Sequence, residues 1–167
     1  MAGADLSAGL LLVAAIGFLL IVSMWWIYFV HTGEAGEAGE AGEETFAHLQ
    51  DQTSAARAGL AYAHGIMVAG AIVVAVAIEI VIAHPFDAVH LPAILIAVTG
   101  PLIFLAGHAL FRASLERPVP WTYLVPFAAL PLLGWAVHAT HASGLVLGLG
   151  MLAIMGTVAL KVPKDAG

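Results

Sequence analysis

Few side chains in this 167-residue sequence could do chemistry, and their spacing sorts them into two groups and one outlier. The first group is His31, His64, His108 and Arg112. His108 and Arg112 stand at i and i+4, which puts them on one face of any helix that contains both. Imidazoles beside a guanidinium offer a proton relay, an anion site, or a hydrogen-bond network that fixes helix packing. His64 and His108 are also the pair that could ligate a haem between two helices. The second group is His84, His90, His138 and His141, with Asp87 nearby. Imidazole with carboxylate suits Zn or Cu, and three or four convergent ligands would make a site. Histidines at helix ends also occur without any metal, and His138 and His141 straddle such an end. The outlier is Glu79. It follows His64 by fifteen residues, about four helical turns, so the two share a face but not a site. As a buried carboxylate it would bind a proton or cation; otherwise it is neutral and hydrogen-bonded, or reaches the surface. The chain has no cysteine, which removes disulfides, thiol catalysis and thiolate metal sites. It shows no nucleophile with its base, no phosphate loop and no open metal site with a general base, so the expectation is a protein that is not an enzyme.

The elements that must position these groups are five apolar stretches. Hydrophobic residues make up 62% of the chain and charged residues 10%. A soluble domain carries about 25% charged residues, so a soluble globule is excluded. The stretches cover about 8–29, 59–83, 92–112, 121–140 and 144–162. Each approaches the ~20 residues that a helix needs to cross a bilayer. The expected fold is an all-α integral membrane protein, a single domain over 1–167 built as a polytopic bundle of about five transmembrane helices. Arg57, Arg112, Arg117, Lys161 and Lys164 all fall on one side of this arrangement. Basic residues are retained in the cytoplasm, which orients the N-terminus outside and the C-terminus inside. The first stretch lacks a basic leader and is too long for a signal peptide.

Local signals refine this frame. Met24 to Phe29 forms an aromatic belt of head-group depth. Residues 33–44 are a Gly-Glu-Ala repeat with five glutamates, expected to be a mobile cytoplasmic loop. Residues 45–58 are expected to be a helical lead-in. His84-Pro85 stops the second span and Pro92 opens the third. Pro101 predicts a kink, and Pro126 with Pro131 predicts an irregular fourth span. Only residues 141–143 separate the last two spans, so they should form an antiparallel hairpin. Gly144 and Gly148 form a Gly-x-x-x-Gly pair, which suits a subunit contact or packing within the chain. Trp25, Trp26, Trp121 and Trp135 fit interfacial or packing roles.

Three segments together resemble a known family. They are Trp25-Trp26-Ile27-Tyr28-Phe29; Tyr62-Ala63-His64 with Gly70 and the ending Val76-Ala77-Ile78-Glu79; and Gly100-Pro101 followed by Gly107-His108-Ala109-Leu110-Phe111-Arg112. They resemble motifs of the bacterial low temperature requirement A proteins, with the chain similar to about half of a full-length member. The resemblance covers roughly residues 25–112 and implies a multi-pass protein of the bacterial cytoplasmic (inner) membrane.

The functional expectation follows from what is absent. The leading reading is a non-catalytic accessory or structural membrane protein that packs against other membrane-protein subunits or copies of itself. Its partners would be the lipid bilayer and those subunits. The net charge of −6 comes largely from one loop and argues against a nucleic acid. A second reading is a half-size transporter or channel-like protein working as a homo-oligomer, and a third is a haem- or pigment-binding subunit. In all of them His108 and Arg112 are expected to be buried against the first or second span, with His64 in hydrogen-bonding or one-water reach.

Overall fold

The computed structural model describes residues 8–37, 54–114, 119 and 121–161. Among the described residues lie five α-helices: α1 (Ala8–Glu37), α2 (Ser54–Ala83), α3 (Leu91–Ser114), α4 (Leu124–Thr140) and α5 (Gly144–Lys161). A 3-10 turn, Trp121–Tyr123, leads into α4. All five provide a stretch long and apolar enough to cross a membrane. The architecture is the expected polytopic helical bundle.

Two boundaries differ from the sequence expectation. Helix α1 continues to Glu37, so the first five residues of the acidic repeat are helical. Extending an existing helix adds one hydrogen bond per residue, whereas starting one is costly. Alanine and glutamate are good helix formers, and each glycine costs only about 1 kcal/mol. The rest of the repeat lies outside the described residues, as do residues 45–53 of the helical lead-in. Its last five residues are the first turns of α2. The fourth span is also more regular than its prolines imply. Pro126 is the third residue of α4, where its missing N–H has no intrahelical partner to lose. Pro131 lies inside the same helix.

Helices α2 and α3 make the most extensive interface of the bundle. The buried positions of α2 are Ala63, Met67, Gly70, Val74 and Ala77, which recur every three or four residues. This face differs from its surroundings in size more than in polarity, because the helix is apolar all round. A Cβ added at Gly70 would fall on the backbone of Phe104, and one at Gly100 would lie 2.9 Å from the Val74 nitrogen. One at Gly107 would lie 2.7 Å from the Met67 nitrogen. The two backbones therefore touch through three glycines.

Helix α1 packs chiefly against α5 and far less against α2. Residues 38–53 separate α1 from α2 in sequence, and a connection of that length sets little constraint on which helices become neighbours. Gly148 takes part in this closure, since a Cβ there would meet Ile16 at 3.3 Å. Gly144 faces Val81 and the carbonyl of His84. Both members of the Gly-x-x-x-Gly pair are thus spent on packing within the chain.

At the end opposite Lys161, the α2–α3 loop is stitched to the α4–α5 turn. Ala88 and Ser143 form an isolated antiparallel bridge. Val89 N–H donates to the Ala142 carbonyl at 3.2 Å, and Leu145 N–H to that of Pro85 at 2.9 Å. His141 ends α4 in the left-handed region, φ 51°, the place where glycine is usual.

Candidate functional site

The last turns of α3 carry the chemistry at the Lys161 end. His108 is fully enclosed and Arg112 is 2% exposed. Their i, i+4 spacing stacks them about 6 Å apart along the axis. The 3-10 turn before α4 then swings Tyr123 across α3. Its hydroxyl lies 2.8 Å from His108 Nδ1. In the Nε2–H tautomer the phenol donates to Nδ1. The imidazole sits among aromatic rings: Phe104 is stacked on it at 6.3 Å and 4°, and Phe111 at 6.4 Å and 18°. Tyr28 from α1 meets it edge-on at 6.3 Å.

His64 is exposed and lines a groove between α1, α2 and α3, whose walls are Trp25, Met24, Met67, Val68 and Phe104. The groove holds about 280 Å³ and is almost wholly apolar. Tyr28 contacts His64 at 6.2 Å and so touches both imidazoles. His64 thus opens onto a groove whose lining does not include His108. The reason lies in the helix register. His64 follows Ala63, whose side chain is fully buried, and one helical step of ~100° turns it from the α2–α3 seam to the groove beside it. His31 belongs to α1, beyond the residues whose side chains are described.

Tyr123 is the participant that sequence reasoning missed. Its signal was indirect: an aromatic hydroxyl at the start of the fourth span must sit at the depth where the third span ends. Nothing in the spacing said that it would face His108 and not lipid.

The second group is dispersed along the opposite end. His84 Nδ1 lies 3.3 Å from Asp87 Oδ2, in a pair about three-quarters exposed, where such contacts contribute little. His138 and His141 have ring centroids 6.5 Å apart. His90 is exposed and its carbonyl accepts from the Ile94 N–H. Among the described residues no three His, Asp or Glu side chains are placed to hold a metal ion. Glu79 is exposed on the face of α2 opposite the buried stripe.

The buried α3 segment is one of the three whose residues carried the family resemblance, and the comparison with family models tests that resemblance. Residues 1–160 match the model of the bacterial low temperature requirement A protein (LtrA). The chain belongs to that family. No curated protein and no solved structure matches it. It is a multi-pass membrane protein of the LtrA family, and the match extends well beyond residues 25–112. The segment Gly107-His108-Ala109-Leu110-Phe111-Arg112 now has a physical meaning in this chain. Gly107 lets α2 approach, His108 binds Tyr123, Phe111 stacks on the imidazole, and Arg112 fills the space one turn on.

Proposed function

We propose that this LtrA-family chain is a non-catalytic membrane subunit that packs through the free face of α2 against other membrane proteins or against a second copy of itself. The observation that carries this reading is the face itself. Only 22% of the α2 span is buried, against 50% of α3. Ala61, Gly65, Ile72 and Glu79 lie on that face, all of them exposed. A Cβ at Gly65 would meet nothing within 4 Å. Lipid satisfies apolar faces, but it gives no reason for a backbone-exposing glycine, and it opposes an ionisable Glu79. A partner helix lying close at Gly65 and supplying a hydrogen bond near Glu79 accounts for both. The non-catalytic part rests on His108, which is sealed among rings with its Nδ1 held by a phenol. That is a packing arrangement more than a reaction site.

Gly65→Leu is expected to leave the monomer folded and to shift the detergent-purified protein from an assembly to a monomer, as read by size-exclusion chromatography with light scattering. Glu79→Gln should keep the assembly, because the amide still hydrogen-bonds. A monomeric wild type with no co-purifying chain removes the proposal.

The same reading places the protein in the bacterial cytoplasmic membrane with its N-terminus outside. The support is the segregation of all five basic residues to one end of the spans. Reporter fusions at Glu40 and Asp87 should report opposite sides, with Glu40 cytoplasmic. A cytoplasmic signal at Asp87 reverses the orientation.

A transporter or channel-like role is the second reading. The enclosed His108–Tyr123 pair and Arg112, behind a groove that reaches Tyr28, favour it. Ion or proton flux in liposomes that His108→Ala abolishes would move the balance to it.

A further inference from the structure

We propose that the cleft between the start of α4 and the end of α5 binds the phosphate of an anionic phospholipid. The cleft holds about 300 Å³ and is lined by Trp121, Thr122 and Val125 on one side and Ile154, Thr157 and Lys161 on the other. Three features converge on a phosphate there. Lys161 is exposed and brings an ammonium group to the rim. Its place in the last turn of α5 sets it against the negative end of that helix, but a full charge outweighs the ~0.5 charge of the dipole. The N-terminus of α4 opens beside it, and no side chain caps it. The 3-10 turn Trp121–Tyr123 runs straight into α4, so the positive end of this helical segment lies at the cleft and favours an anion. Finally, Thr122 is 7% exposed and its hydroxyl has no hydrogen-bond partner. A buried hydroxyl left unmatched is costly, and because Thr122 lines the cleft, a turn of its side chain toward an acceptor oxygen there removes that cost. Thr157 contributes no donor, because its hydroxyl already donates to the Ala153 carbonyl at 2.7 Å.

A phosphate could arrive free or on a lipid. The walls point to a lipid. Val125 and Ile154 offer an apolar surface continuous with the spans, where acyl chains would lie. Trp121 is 72% exposed at the same level, the position of an interfacial aromatic. If this end faces the cytoplasm, it also meets the leaflet face whose anionic lipids attract basic residues.

The test is native mass spectrometry of the full chain in mild detergent, titrated with phosphatidylglycerol, phosphatidylcholine or inorganic phosphate. Phosphatidylglycerol should be retained in preference to phosphatidylcholine, and inorganic phosphate should not displace it. Lys161→Gln should weaken phosphatidylglycerol retention about fivefold, the worth of one basic residue near a membrane surface. Thr122→Val should weaken it about tenfold, as for the loss of a hydrogen bond to a charged group. The second variant keeps shape and net charge, so it separates a built site from general attraction, and a parallel melting curve shows that it folds. Equal retention of the two lipids, displacement by inorganic phosphate, or unchanged retention in both variants overturns the proposal.

Discussion

Gly70→Leu is expected to abolish folded protein, whereas Gly65→Leu, five residues earlier on the same helix, is expected to spare the monomer. Intrinsic propensity points the other way at Gly70, since leucine favours a helix over glycine by nearly 1 kcal/mol. Packing decides the outcome. A Cβ at Gly70 would fall on the Phe104 backbone, with the Gly100 carbonyl at 2.9 Å. Overpacking costs about 1–3 kcal/mol where side chains can shift. Here the obstacles are backbone atoms of a helix whose own Gly100 and Gly107 lie against α2, so relief requires α2 and α3 to separate. That interface is the largest in the bundle. At Gly65 the added side chain enters open space. Fluorescence-detected size-exclusion of the two variants, expressed side by side, measures the difference. A monodisperse Gly70→Leu protein with wild-type melting would show that the α2–α3 contact does not hold the bundle together.

The contrast between these two glycines also shows what the sequence makes legible. Five apolar stretches are visible because bilayer thickness sets a length that a run of residues either meets or misses. The burial of His108 and Arg112 was legible for a related reason: polar groups this close to an apolar span must face protein or water. The residues that meet them were not legible. Tyr123 reaches His108 only because the 3-10 turn before α4 sets the angle of the chain, and Trp121–Tyr123 carries no periodic signal of that. Helix register was similarly hidden. Helix α2 is apolar on every side, so hydrophobic patterning cannot say that Met67 faces α3 while Glu79 faces away. The choice falls to the small residues, whose role appears only when another backbone is laid beside them. The same is true of Gly144 and Gly148, which sequence alone left divided between a subunit contact and packing within the chain.

Arg112→Ala is expected to destabilise the folded bundle by about 2–5 kcal/mol, because Arg112 is 2% exposed and its truncation opens a cavity one turn from His108, as large-to-alanine changes do in packed cores. Arg112→Lys should recover only part of the loss. An ammonium matches the charge but not the planar fork or the volume of the guanidinium. Tyr123→Phe isolates the neighbouring hydrogen bond, because the ring that packs on His108 is kept at 5.6 Å while the hydroxyl is lost. Within a membrane bundle such a bond averages about 0.6 kcal/mol and reaches about 1.7. Lys161→Ala removes an exposed charge and should leave stability unchanged. The expected order of loss is therefore Arg112→Ala, then Tyr123→Phe, then Lys161→Ala, measured as thermal melting of the purified protein in one detergent. Arg112→Ala melting with Lys161→Ala would mean that the guanidinium contributes nothing to the fold, and that its enclosure must be explained by function instead.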